Sequence, residues 1–409
     1  MNTAGGPSRA HHPDYMIALA ITILLAIGLV LMYSISPILS HKLVGSADRN
    51  YYFLNQLKYV GVGLVAWVVA SSIRYDRWRQ WAPYLLGASL VGLALLLVPG
   101  LAQSSHGATR WLDFRLFSVQ PAEVLKLALI LYLAMWFEKR GDEIRSLVDG
   151  VWPFVIMVGA ACFVIVTMQR DMGTMMVLAL ATIGMYYAAG IRLHHLAGIL
   201  AAGLAAGWLA VVLFPHRMER VTTFLNPRCD DPAYALNDSL HICQALLGVG
   251  SGGLAGVGLG HSIQVYGYLP EAANDSIFSV IAEEFGLIGS LAVISLFGLL
   301  VYRGITVARQ APDMFGRLVA IGISLWMLFQ AVINIGAMLA LVPLPGIPLP
   351  FISYGGTSLI ISLVGAGILL NISKYTVREG SHAGSSERRG VGRSYHADTR
   401  GQRRVTVAR

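Results

Sequence analysis

The sequence predicts an all-α integral membrane protein: a bundle of ten transmembrane helices with one large extracellular loop between the seventh and the eighth. Composition, the recurrence of long apolar runs and the placement of basic residues each point there. Of 409 residues, 56% are hydrophobic and only 13% charged, with a mean hydropathy of +0.63, too apolar for a soluble domain with an ordinary polar surface. Runs of about 20 apolar residues, the length that crosses a hydrocarbon core, recur ten times. Lysine and arginine gather in alternate connections, as the positive-inside bias requires.

The ten runs fall at about 14–36, 53–73, 82–99, 119–137, 150–168, 171–190, 194–214, 275–301, 317–341 and 354–374. A cleaved secretory signal would be followed by a polar mature chain. Here apolar segments continue to residue 373, so the first run is expected to stay as a span. Arg74, Arg77 and Arg79, then Lys139, Arg140 and Arg145, then Arg303, Arg309 and Arg317 share a side with both termini, which places that side in the cytoplasm. The expected organisation is a cytoplasmic segment 1–13, a membrane domain 14–376 whose loop 215–274 faces outward, and a basic tail 377–409. Much of the net charge of +8 sits in that tail, where Arg378, Arg388, Arg389, Arg393, Arg400, Arg403, Arg404 and Arg409 face three acids. Low hydrophobicity and high charge predict disorder, and a basic tail beside a bilayer meets anionic membrane lipid more simply than nucleic acid.

Of three cysteines, Cys162 lies inside a span and reads as a packing residue. Cys229 and Cys243 fall in the outer loop, where either a disulfide or two free thiols fits the spacing. The run GVGSGGLAGVGLG formally contains a GxGxxG pattern at Gly248, Gly250 and Gly253. No strand or βαβ unit accompanies it, so it reads as a tight extracellular loop whose backbone can approach a ligand closely.

The polar residues that interrupt the apolar runs are the candidates for chemistry. In QPAEVLKL, Glu123 and Lys126 stand three apart on one helix face. Charges at membrane depth pair with one another or line a watery cavity, so these two read either as a structural ion pair or as part of a cavity opening outward. The preceding loop adds Arg110, Trp111 and Arg115, a basic and aromatic cluster suited to a phosphate-bearing headgroup. In YLPEAANDSIFSVIAEEFG, the acids Glu271, Asp275, Glu283 and Glu284 crowd the start of the eighth span. Asp275 suits a helix N-cap. On a continuous helix Glu283 would lie about 12 Å along the axis and about 80° around from it, close enough to line one cavity, with Glu284 on the far side. The connection VPLPGIPLPFISYGGTS carries prolines at 343, 345, 348 and 350, an extended cover whose Ser353 and Tyr354 open the last span and wall the same cavity.

In combination, GATRWL, QPAEVLKL, FLNP, the stretch from GVGSGG through YLPEAANDSIFSVIAEEFGLIG, INIG and PLPGIPLPFISYGGTS resemble the SEDS family (shape, elongation, division and sporulation), which contains the FtsW and RodA peptidoglycan polymerases. The resemblance runs from about residue 14 to 375 and leans toward the FtsW type. It implies a ten-helix bundle that polymerises lipid II into glycan strands at the outer leaflet during cell division, by inverting transfer. Asp275 is its general base, at the position of the family's proposed catalytic aspartate. The family pattern there usually reads Pro-Glu-Ala-His-Thr-Asp-Phe-Ile-Phe; this chain has Ala273, Asn274 and Ser276 in place of His, Thr and the first Phe.

The site expected from residues and resemblance comprises Asp275 as catalytic group, with Arg110, Glu123, Lys126, Glu271, Glu283, Ser353 and Tyr354 around the substrate. No cofactor is required, and a divalent cation (Mg2+ or Mn2+) is the one that could assist the leaving diphosphate. Expected partners are lipid II, a class B penicillin-binding protein (transpeptidase), other membrane proteins of the division complex and membrane lipids, with no nucleic acid. The expected location is the bacterial plasma membrane at the division septum. The rival readings are a flippase or transporter of lipid-linked precursor, since intramembrane charges also mark translocation paths; a RodA-type polymerase of cell elongation; and a silent scaffold.

Overall fold

The computed structural model describes residues 11–41, 49–98, 101–105, 108–113, 118–213, 215–230 and 239–376. Each expected span is a helix: α1 Tyr15–Leu39, α2 Tyr51–Ser72, α3 Tyr75–Leu95, α4 Pro121–Arg140, α5 Leu147–Gln169, α6 Met172–Ala189, α7 Leu193–Leu213, then, after two helices of the long connection (α8 Pro215–Leu225 and α9 Leu240–Ser251), α10 Ile277–Arg309, α11 Met314–Met338 and α12 Gly356–Ser373. Eight of these are long and apolar enough to cross a membrane. The other two expected spans, α3 and α4, carry more charge, including Asp76 and Arg77 in one and Glu123, Lys126 and Glu138 in the other. The chain is a multi-pass, all-α membrane protein.

The helix ends follow local chemistry. Asp14, Asp171 and Asp313 cap α1, α6 and α11 by accepting from the main-chain N–H of Met16, Thr174 and Gly316. Pro121 opens α4, where its missing N–H costs nothing. Burial divides the helices by role. α11 and α12 are the most enclosed, whereas no residue of α7 is buried, so its apolar surface is left for lipid. α12 packs on α2, α10 on α11, and α4 on both α3 and α11. On the side of the termini, Arg79 bridges Glu138 and Asp313, while Arg303 bonds Asp14, tying the first helix to α10.

Two features depart from a purely helical reading. A three-stranded antiparallel sheet, β1 Ala102–Ser105, β2 Ala108–Asp113 and β3 Ser118–Val119, covers the connection between α3 and α4. In addition, α10 is broken at Gly286, whose φ of 66° and ψ of −163° are not helical. The glycine run fills the break. Val257 and Gly258 donate to the carbonyls of Glu283 and Glu284, and Leu287 and Ile288 donate to those of Gly253 and Leu254, at 2.9–3.2 Å. Backbone polar groups freed by a broken span must find protein partners, and this loop supplies four. A Cβ at Gly252 or Gly256 would collide with the carbonyl of Ala282 or Glu284, which explains the glycines. The close approach expected toward a ligand is made instead to α10.

Cys229 and Cys243 form a disulfide that ties the chain after α8 to α9. The basic tail 377–409 and Arg115 lie outside the described residues.

Candidate active site

Asp275 stands in the turn Pro270–Ser276, immediately before α10. It is not the helix cap. The N-cap position is Ser276, and no side chain caps that end. Instead, nearly every polar group of the turn other than the Asp275 carboxylate is engaged. The Glu271 carbonyl accepts from the N–H of Asn274 and of Ser276, at 2.9 and 3.2 Å. Tyr354 N–H donates to the Ala273 carbonyl at 2.8 Å, and Ser353 Oγ donates to that of Asn274 at 2.6 Å. Asn334, on α11, donates to the Asp275 carbonyl at 2.7 Å and to the Ile347 carbonyl at 2.8 Å. His241, on α9, bonds the Ser276 hydroxyl. One main-chain N–H and three side chains thus hold the turn, while Asp275 Oδ1 has no hydrogen-bond partner.

Such a group is costly to ionise. Burial, then the neighbouring Glu271 carboxylate, push the Asp275 pKa up to about 7, against the weaker pull of a hydrogen bond from its own main-chain N–H and of Arg110 and Arg220. A carboxylate poised near neutrality is what a general base requires. On the other face of the same turn, a cavity of about 410 Å³ is lined by Glu271, Ala273, Asn274, Tyr52 of α2 and Leu39 of α1. Glu271 itself is exposed at that opening, with a left-handed φ of 49°.

The remaining expected site residues divide. Arg110, on β2, faces Asp275 electrostatically, but two of its N–H groups already clamp the carbonyls of Gln169 and Arg170 where α5 gives way to α6. Ser353 and Tyr354 brace the turn instead of lining an open wall. Ser353 is buried, and the Tyr354 ring packs edge-on against Tyr52 and Tyr59.

Glu283 is not on the cavity. Its carboxylate accepts from Ser262 Oγ at 2.5 Å and from the N–H groups of Ile263 and Gln264, so it fastens the loop after the glycine run. The helical phase that would bring it beside Asp275 fails because Asp275 precedes the helix. Glu284 holds Ser34 of α1 and the N–H of Gly260.

Glu123 and Lys126 do not open outward either. They form a buried ion pair at 2.9 Å, each side chain 2% exposed. Lys126 also donates to Gln330 at 3.0 Å and lies 5.2 Å from the Trp326 ring. Gln330 and Asn334 stand four apart on α11 with three apolar residues between them, so α11 carries one polar stripe that touches the ion pair at one level and the Asp275 turn at the next. Gln330 also donates to the Pro348 carbonyl. Neither amide was singled out from sequence, although two amides four apart in an otherwise apolar span are themselves a signal. Arg220, His241 and Gly346 were also missed. Gly346 has a φ of 69°, a conformation that strains any side chain, and an added Cβ would sit in ordinary contact with Asp275 Oδ2.

Comparison with known proteins agrees with this architecture. A family profile described as cell cycle protein, covering FtsW, RodA and SpoVE, matches residues 14–378. Stage V sporulation protein E of Bacillus subtilis is 38% identical over 366 residues, 89% of this chain and 98% of that protein. A probable peptidoglycan glycosyltransferase FtsW of Trichlorobacter lovleyi is 40% identical over 370 residues, 90% and 94% of the two chains. Among solved structures, a chain from work on the structural coordination of polymerization and crosslinking by a peptidoglycan synthase complex superposes with a TM-score of 0.72 at 26% identity, covering 90% of this chain and 99% of its own. The rod shape determining protein RodA of Thermus thermophilus gives 0.63 at 26% identity, covering 90% and 98%. The chain therefore belongs to the FtsW/RodA/SpoVE family of cell cycle proteins.

Proposed function

We propose that the protein is a peptidoglycan glycosyltransferase that polymerises lipid II at the outer face of the plasma membrane, with Asp275 as general base. The observation that carries the reading is a carboxylate whose Oδ1 is unpartnered and whose pKa is raised to about 7, in a turn whose main chain is otherwise held fast. Deprotonated, Asp275 removes the proton from an acceptor sugar hydroxyl. That oxygen attacks the donor anomeric carbon as its bond to the lipid diphosphate breaks, and a single displacement inverts the centre.

Arg110 and Arg220 are the cations that face Asp275, and they offset charge on the departing diphosphate. Among the described residues no three His, Cys, Asp or Glu side chains converge into a metal cage. A Mg2+ or Mn2+ ion here would be held by one or two carboxylates together with the diphosphate, the usual manner for Mg2+. Glu123 and Lys126 act through α11 on the site's shape.

Ten membrane crossings, cytoplasmic termini, a septal location and a class B penicillin-binding protein as transpeptidase partner complete the proposal. The family and the likeness to a chain of a peptidoglycan synthase complex support the partner. The test is polymerisation of lipid II by purified protein in detergent. Asp275→Asn and Asp275→Ala should abolish polymer while the protein stays folded. Polymer made by Asp275→Asn at the parent rate would overturn the assignment, and, in vesicles reconstituted with the protein, movement of lipid II between leaflets without polymer would favour the transporter reading.

A further inference from the structure

His241 has no role in the reaction just described, yet it touches the residue beside the proposed base. It is the second residue of α9, half-buried, with Nε2 2.6 Å from Ser276 Oγ. Ser276 is fully buried, and its hydroxyl also lies 2.8 Å from the Pro270 carbonyl. A carbonyl only accepts, so the single hydroxyl proton of Ser276 goes to Pro270 and the imidazole must donate through its Nε2–H. Burial, then the Arg220 cation, drive the ring pKa down to about 4, so the ring is neutral at physiological pH and carries its one proton on Nε2.

The hydroxyl at an N-cap normally serves the helix. Here it makes no such bond. It joins the first residue of the Asp275 turn to α9, and the disulfide anchors α9 two residues further on.

We propose that His241 is a positioning residue for Asp275: its Nε2–H holds Ser276, and through Ser276 the turn Pro270–Ser276, in the geometry that leaves the Asp275 carboxylate free to take a proton. This rests on the reading of Asp275 as base. The charged and titratable groups around the contact are Arg220 on α8 and Glu271 and Asp275 on the turn itself.

The test uses the full-length protein in detergent and compares His241→Phe, which keeps a ring and loses the donor, with His241→Gln, whose side-chain amide can donate from a similar reach. Lipid II polymerisation is measured at varied lipid II, and amide hydrogen exchange is followed across residues 268–279. Loss of one buried hydrogen bond predicts that His241→Phe lowers kcat by about tenfold with KM little changed. Exchange in the turn should accelerate, and His241→Gln should recover most of both. Nitrogen NMR of the histidine ring should show the proton on Nε2. Parent kcat and parent exchange in His241→Phe would overturn the proposal, as would a change confined to KM or a His241→Gln protein as impaired as His241→Phe.

Asp275→Asn, run alongside, separates the two ideas. If it kills polymerisation while His241→Phe is fully active, only the positioning role fails. If Asp275→Asn is itself active, the base assignment fails and takes the positioning role with it, whatever the exchange shows.

Discussion

Asn334 donates to the main-chain carbonyl of Asp275 at 2.7 Å, and the same amide nitrogen reaches the Ile347 carbonyl at 2.8 Å. One buried side chain thereby joins the proposed catalytic turn to the proline-rich loop over it. Replacing Asn334 by Leu strands both carbonyls away from water, each at about 1–3 kcal/mol. The expected outcome is a lower melting temperature together with a loss of polymerase activity larger than the loss of folded protein. Activity per folded molecule equal to the parent would mean that the turn keeps its shape without the clip.

The raised pKa of Asp275 makes two opposite demands on pH. As a base it must be ionised, so polymerisation should rise with pH through about 7 and level off above it. For stability the sign reverses. The folded pKa of about 7 exceeds the ordinary value of 3.8, so the fold favours the protonated acid. That contribution is whole below about pH 4 and is lost as pH climbs through 7. Asp275→Asn cannot ionise and should therefore be more stable than the parent at pH 8, by roughly 4 kcal/mol if the whole shift is realised, and equal to it near pH 4. Thermal melts of both proteins from pH 4 to 8 check this. Parallel curves would show that Asp275 ionises freely in the fold.

The Glu123–Lys126 pair invites a different comparison. With both side chains 2% exposed, removing one partner leaves a buried charge with nothing to answer it, which costs about 3–5 kcal/mol. Lys126→Met alone should therefore yield little folded protein. Glu123→Gln combined with Lys126→Met should recover most of the melting temperature, because the pair's own net contribution is small. A single variant as stable as the parent would show that water reaches the pair.

The spans were legible because apolar run length is a one-dimensional quantity; Leu193–Leu213, expected at 194–214, needs no partner to be recognised. Helix ends were less so. α3 begins at Tyr75 and not near 82, since its first turns carry Asp76, Arg77 and Arg79, charges that lower hydropathy without breaking the helix; Arg79 bridges Glu138 and Asp313, and Asp76 pairs with Arg74. Asp275 could be picked out as an acid at a span mouth, but its freedom could not, because that depends on Ser276 and Asn334 being engaged elsewhere. Glu283 was misplaced for a specific reason: helical phase was carried across a boundary at Ile277, and a carboxylate expected to face a cavity turned to three donors of the loop 262–264. The sheet around Trp111 escaped notice because its strands are short and mixed in polarity, with no alternation to read.

The break in α10 is filled by the glycine loop, and that fit can be tested at its glycines. Gly286 holds a φ of 66° with ψ of −163°, a region that essentially only glycine enters, and a Cβ there would strike the Gly256 nitrogen and the Leu254 carbonyl. Gly298, further along the same helix and exposed, has nothing within 4 Å of an added Cβ. Gly298→Ala should accordingly be neutral or stabilising by up to about 1 kcal/mol, since alanine is the better helix former. Gly286→Ala should cost at least the roughly 1–3 kcal/mol of backbone strain, and more because four hydrogen bonds between the glycine loop and α10 must shift to make room. Comparison of the two variants by melting temperature and by polymerisation per folded molecule decides the matter. If Gly286→Ala melts with Gly298→Ala and the parent, the helix can run straight through residue 286, and the glycine loop is not what fixes the break.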